Sequence, residues 1–313
     1  MGLPVIDLKG LEGNGREKTM AQLKDATENW GFFQIMNHGI SVDLIEKVKK
    51  LTHAHHDMNL RPKFQESDVI KKIVNADGEV RDADWETVFF VQHLPSSTAT
   101  QVPDINTELL KAIEEYEKEI VKLAERMLDL FCENLGLEEG YIKKVFSGQN
   151  GSGPFMGTKF AKYPSCPKSD VVKGLRTHTD AGGVILVLQD DIPGLQFLKG
   201  GEWVDVVPLA DSIFVNTGDQ LEVVSNGRIK SIPHRVTVRE DGGRLSVATF
   251  YNPASDAVIA PAQKLLYPEK YSFEDYMKLY SGTKFDEKEP RFQVLKNDKT
   301  LVLQGQQLNG VVY

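Results

Sequence analysis

Lys173-Gly174-Leu175-Arg176-Thr177-His178-Thr179-Asp180-Ala181-Gly182-Gly183 runs directly into the apolar stretch Val184-Ile185-Leu186-Val187-Leu188. Residues i and i+2 of a strand point to one side, so His178 and Asp180 can converge on a single ion from one short segment. His234 stands alone on a distant segment, and Arg244-Leu245-Ser246 follows it. Two histidines and one carboxylate can cover one face of a metal and leave the other face open. That is the arrangement by which Fe(II) takes a substrate and O2 together. Catalytic zinc also uses three protein ligands and an open position, but two histidines and a carboxylate on a β-roll favour iron. Arg244 and Ser246 repeat the i, i+2 spacing with a cation and a hydroxyl, a holder for a carboxylate or bicarbonate.

A rolled antiparallel sheet is what brings His234 to His178, and the surrounding sequence has its signals. Past residue 150 come short β-rich runs: Val184 to Leu188, Leu195 to Leu198, Trp203 to Val207, Ile213 to Asn216, Leu221 to Val224, His234 to Val238 and Leu245 to Tyr251. Gly200-Gly201 and Asn226-Gly227 read as hairpin turns between them. Many short strands at this spacing predict a mainly β fold with flanking helices, a distorted double-stranded β-helix or jelly roll.

Before residue 150 the period is helical. Glu17 to Trp30 and Val42 to Leu51 read as helices, the second capped by Ser41. The longest runs from Glu108 to Leu135, with Leu109, Ile113, Tyr116, Ile120, Leu123, Met127 and Leu130 on one face and Gly136 as its stop. Ser272, with Asp275 three residues on, caps a last helix through Tyr280. The expected organisation is a helical region over 1–150 packed on a jelly-roll domain over 151–313, the two forming one compact unit.

With 313 residues the chain can bury a large core, and its net charge of −8 argues against a nucleic-acid partner. No basic amphipathic stretch suggests membrane docking, and the longest apolar run is far short of a span. Cys132 and Cys166 lie in unlike contexts and suggest no disulfide framework, so a reducing, cytoplasmic setting is expected. Oligomeric state has no signal here.

Other residues have bland readings on their own. Lys159, Arg176 and Arg291 read singly as solvated cations, although Arg176 shares the side of His178. His53, His55 and His56 have no carboxylate or cysteine at ligand spacing and read as a solvated helix surface. His38 reads as a turn residue and Cys132 as core. Gly151-Ser152-Gly153 is no phosphate loop, because neither a Lys-Ser/Thr pair nor a helix follows.

Taken together, the motifs resemble the plant non-haem iron and 2-oxoglutarate-dependent dioxygenases, and among them the 1-aminocyclopropane-1-carboxylate oxidases. Asn29-Trp30-Gly31-Phe32-Phe33, Asn37-His38-Gly39-Ile40, Tyr163-Pro164-Ser165-Cys166-Pro167 and the His-x-Asp, His, Arg-x-Ser set are superfamily features. More specific to the oxidases are the block over 173–183, Gly218-Asp219-Gln220-Leu221-Glu222-Val223, Phe250-Tyr251-Asn252-Pro253 and Lys288-Glu289-Pro290-Arg291-Phe292. The resemblance covers nearly the whole chain. It departs at Ser165 and Gln293, over about 64–81, and beyond Leu295.

The resemblance implies Fe(II) on His178, Asp180 and His234, with a small amino-acid substrate, O2, ascorbate as reductant and bicarbonate as activator. It implies a role for Lys159, Tyr163, Arg176, Arg244, Ser246 and Arg291 in handling anions, and for Phe250, with Lys159, in holding the substrate. Two alternatives stay open. One is a 2-oxoglutarate-dependent hydroxylase or desaturase, in which Arg244 and Ser246 hold the cosubstrate. The other is a non-catalytic jelly-roll binding protein.

Overall fold

The computed structural model describes residues 2–75, 78, 80, 83–262, 271–285 and 288. The first strands are β1 (Val5–Asp7), β2 (Phe32–Met36) and β3 (Thr87–Leu94). After them come β4 (Phe155–Tyr163), β5 (Leu175–His178), β6 (Val184–Gln189) and β7 (Leu195–Lys199). The roll is completed by β8 (Glu202–Asp205), β9 (Ile213–Thr217), β10 (His234–Val236) and β11 (Arg244–Asn252). A major sheet has the order β1-β2-β9-β6-β11-β4-β3 and a minor sheet the order β5-β10-β7-β8. From β4 onward the chain passes back and forth between the two sheets, which wraps it as a double-stranded β-helix. Strands β1, β2 and β3, all from before residue 150, extend the major sheet at its two edges.

The unbroken apolar run of β6 follows from burial on both faces, which removes the usual alternation. Val184, Leu186 and Leu188 belong to the core shared with the helix Thr107–Leu135, whereas Ile185 and Val187 pack inside the roll with Phe197, Phe214 and Val236. Each such side chain contributes roughly 1.5–3 kcal/mol by leaving water, so a charge at either parity would break one core or the other. The helix Thr107–Leu135 buries the face expected from its period. Asn106 accepts the Leu109 N–H at 2.8 Å and Gly136 ends the helix at φ 73°. The expected C-terminal helix, Phe273–Thr283, starts on the Ser272 cap, whose hydroxyl accepts the Asp275 N–H at 3.1 Å.

Three expectations differ from the structure. Leu221 to Val224 is no strand but part of a short helix, Asp219–Val224. A four-residue apolar run does not distinguish strand from buried helix, and here Gly218 with the acidic Asp219 and Glu222 opens a helical turn. Asn226-Gly227 consequently closes that helix, with the Gly227 N–H on Glu222 O at 2.8 Å, while Gly200-Gly201 does join β7 to β8. His55 and His56 are buried rather than solvated, because the helix Val42–His55 turns them against Phe89 on the major sheet. No described helix is long and apolar enough to cross a membrane.

Candidate active site

The antiparallel pairing of β10 with β5 sets His234 directly opposite His178. Their rings lie 4.3 Å apart, centroid to centroid. Asp180 comes two residues past the end of β5, yet its carboxylate turns back: Oδ1 is 3.8 Å from His178 Nε2 and Oδ2 is 3.5 Å from His234 Nε2. One donor atom from each of the three lies within 4.8 Å of the others, and all three residues are buried. His178 Nδ1 sits 2.7 Å from Arg176 O and His234 Nδ1 3.3 Å from Ile232 O. A ring N–H on Nδ1 donates to each carbonyl, which leaves both Nε2 lone pairs aimed at the common point. Burial first, then the neighbouring His234, pushes the His178 imidazole well below its ordinary range, so it is neutral and able to ligate. Asn216 donates to Asp180 Oδ2 at 2.7 Å, and Phe197 stacks on His234 at 4.8 Å.

Two of the expected cations stand in the same cleft, each already paired. Lys159 donates to both oxygens of Glu86, at 2.7 and 2.8 Å. Burial pulls this ammonium down most strongly, but the charge and hydrogen bond of Glu86, with Tyr163 and Asp84, together outweigh it and the net shift is upward. Arg176 grips Asp84 through Nε at 2.9 Å and Nη2 at 3.1 Å, and its guanidinium lies 3.8 Å over the Phe285 ring. Phe285 in turn meets His178 edge to face at 6.0 Å.

Arg244 differs from these. On β11 it pairs in register with Tyr163 of β4, while Ser246 pairs with Ala161 and Gln189, so Arg244, Tyr163, Ser246 and Gln189 share the roll's inner face. Arg244 is 3 % exposed and donates from Nη2 to Gln189 Oε1 at 3.0 Å. Its Nε and Nη1 are buried without a hydrogen-bond partner. An unsatisfied buried guanidinium edge is costly unless an acceptor is bound there. Burial drives the Tyr163 phenol up to about 12, followed by the nearby Glu86 carboxylate. Tyr163 is therefore a neutral hydroxyl, hydrogen-bonded with Ser246. Phe250 continues the inner face next to Ile185 and Gly157 and is packed in the roll's own core. Arg291 and Gln293 lie outside the described residues.

Several groups at the site had no signal in the sequence. Asn216, Gln189, Glu86 and Asp84 reach it across the fold from positions with no motif spacing of their own. Lys284 follows the helix Phe273–Thr283 and feels Lys159, Asp180 and Glu86; burial first, then Lys159, lowers its pKa.

The comparisons with known proteins agree with this geometry. The 2OG-Fe(II) oxygenase superfamily model matches residues 154–253, and the model described as non-haem dioxygenase in morphine synthesis N-terminal matches 3–109. The chain is 50% identical over 303 residues to 1-aminocyclopropane-1-carboxylate oxidase 1 of Malus domestica, covering 94% of this chain and 96% of that one. It is 51% identical to 1-aminocyclopropane-1-carboxylate oxidase 4 of Solanum lycopersicum, covering 94% of each. Among solved structures, JOX2 in complex with 2OG, Fe and JA superposes with a TM-score of 0.80 at 31% identity, over 95% of this chain and 90% of that one.

Proposed function

We infer the reaction from one premise: the chain belongs to the 1-aminocyclopropane-1-carboxylate oxidases, within the 2OG-Fe(II) oxygenase superfamily. It is a non-haem iron oxidase that converts 1-aminocyclopropane-1-carboxylate to ethylene. The observation that carries this reading is the buried donor set of His178, Asp180 and His234, with both Nδ1 atoms engaged and both Nε2 atoms free to ligate. Those three residues would hold Fe(II), which when bound supplies the activation of O2 that no amino-acid side chain can provide. Ascorbate would be the reductant and bicarbonate the activator, with CO2 and cyanide leaving beside ethylene.

The remaining roles belong to the chain's own side chains. Arg244, with two unsatisfied buried N–H groups, and the Ser246 hydroxyl suit a carboxylate or bicarbonate, and Tyr163 adds a neutral donor beside them. Lys159 and Arg176, each held by a carboxylate, would set the local potential and orient anions without themselves being bare charges. Phe250, with Lys159, would wall the small substrate. Arg291 is assigned to anion handling on the family resemblance alone.

The same Arg244–Ser246 pair would suit the distal carboxylate of 2-oxoglutarate, and the JOX2 structure contains 2OG. A single experiment separates the two readings. Headspace gas is analysed after incubation with Fe(II), ascorbate, bicarbonate and 1-aminocyclopropane-1-carboxylate, beside a parallel assay of succinate from 2-oxoglutarate. Ethylene without succinate is expected. Stoichiometric succinate with no ethylene would establish the hydroxylase reading instead.

A further inference from the structure

The β5–β10 ladder fixes the two histidines, because His178 and His234 are direct partners. Asp180 lies beyond the end of β5, so something else must set its position. Asn216 of β9 holds its carboxylate, and residues 218–220 hold the backbone that carries it. The Asp219 N–H donates to Asp180 O at 2.8 Å, the Gln220 N–H to Gly182 O at 2.9 Å and the Gly218 N–H to Gly183 O at 2.6 Å. The Gln220 side chain takes Ala181 O at 2.8 Å. Every carbonyl from 180 to 183 is thus held from one short segment. The fit leaves no room for a side chain: a Cβ on Gly218 would lie 2.5 Å from Gly182 O.

The side chain of Asp219 extends this hold in three directions. It is wholly buried. Its Oδ2 accepts the Thr179 hydroxyl at 3.2 Å and the Tyr276 hydroxyl, and its Oδ1 accepts the Ser231 hydroxyl at 2.6 Å. Thr179 stands between two of the ligands, Ser231 leads into Pro233 and His234, and Tyr276 is on the helix Phe273–Thr283. Tyr280 of that helix also donates to Thr179 O. A buried carboxylate is tolerable when several donors converge on it, and hydrogen bonds to an ionised acceptor are about twice as strong as neutral ones.

We propose that Asp219 is a positioning residue of the metal centre, fixing Asp180 against the histidine pair and tying the helix Phe273–Thr283 to the ligand segment. The proposal rests on the metal reading of His178, Asp180 and His234. Groups that orient metal ligands from behind typically change affinity by about 10–100-fold when removed. The test loads the full-length chain with Co(II) and reads both the dissociation constant and the visible d–d spectrum. Asp219→Asn should weaken Co(II) by about 10–100-fold and alter the spectrum of the loaded protein. Thr179→Val and Tyr276→Phe, which each remove one donor without changing charge, should move both readouts the same way by less. These two keep the test decisive if Asp219→Asn does not fold. A residue that merely stabilises the fold would lower the folded fraction and leave the spectrum of the loaded protein unchanged. Wild-type binding of one equivalent, with unchanged constants and spectra in folded variants, would overturn the positioning role. Failure of the wild type to bind Co(II) would overturn the metal reading beneath it.

Discussion

Glu86 closes both carboxylate oxygens on the Lys159 ammonium, at 2.7 and 2.8 Å, from a position 73 residues away in the chain. Because Glu86 offsets the burial of Lys159, it keeps that lysine charged beside the other cations of the cleft. In Glu86→Gln, burial and the like charge of Lys284 act without that opposition, so the Lys159 pKa falls. If the protonated lysine is the working form, Glu86→Gln should lose activity as pH rises through the lowered pKa, over a range in which the wild-type lysine, raised by Glu86, stays protonated. A pH–rate profile from neutral to alkaline pH checks this. Coincident alkaline limbs in the two proteins would show that Glu86 is not what keeps Lys159 in its working form.

The three ligands make a sharper prediction. Asp180→Asn, His178→Ala and His234→Ala should each lower metal affinity by more than the roughly 100-fold expected for a group that only orients a ligand. Turnover should disappear with it. Circular dichroism should remain close to that of the wild type, since the three donor groups converge on one point and the strands that carry the histidines are held by their own ladders. Iron stoichiometry after gel filtration is the measurement, and one retained equivalent in His234→Ala would refute the assignment.

Arg244→Lys retains the charge but loses the planar edge whose Nε and Nη1 are buried and unpartnered. A charge-assisted hydrogen bond is worth about 1.5–3 kcal/mol, or roughly 10–100-fold in affinity. If Arg244 holds bicarbonate as proposed, the bicarbonate concentration for half-activation should rise by about that factor, with iron stoichiometry unchanged. An activation curve superposable on that of the wild type would place bicarbonate elsewhere.

What could be read in the sequence was whatever depends on short spacing. The apolar run of β6 and the period of the helix Thr107–Leu135 are local patterns, and each led to its element; the i, i+2 placement of His178 and Asp180 led to the ligands, although Asp180 lies past the end of β5 rather than on it. The partners of Lys159 and Arg176 were not local. Glu86 and Asp84 lie 73 and 92 residues from the cations they pair with, so no spacing connects them, and both cations read as solvated. The helix Asp219–Val224 was hidden for another reason: all six of its residues are buried. A segment covered on every side loses the polar–apolar period that tells helix from strand.

His56 supports a prediction about stability rather than turnover. Its Nδ1 lies 2.8 Å from Thr87 Oγ1, and that hydroxyl spends its one proton on Lys162 O at 3.3 Å. Nδ1 is therefore the donor, and Nε2 is left buried with no hydrogen-bond partner. Burial, then the neighbouring His55 and Lys162, lowers the His56 pKa to about 3. The unfolded chain titrates near 6.5, its ordinary value. Between these values the unfolded state binds the extra proton, so stability rises with pH through this window and the contribution of His56 is complete above pH 6.5. On the acid side of the window one such group adds a slope approaching about 1.4 kcal/mol per pH unit. His56→Asn preserves a donor near Thr87 and cannot protonate. It should lower stability at neutral pH through the cavity it leaves, while flattening the acid limb by up to that slope. Urea unfolding of both proteins at pH 5, 6 and 7.5 measures the difference. Parallel stability curves would show that His56 does not titrate with unfolding.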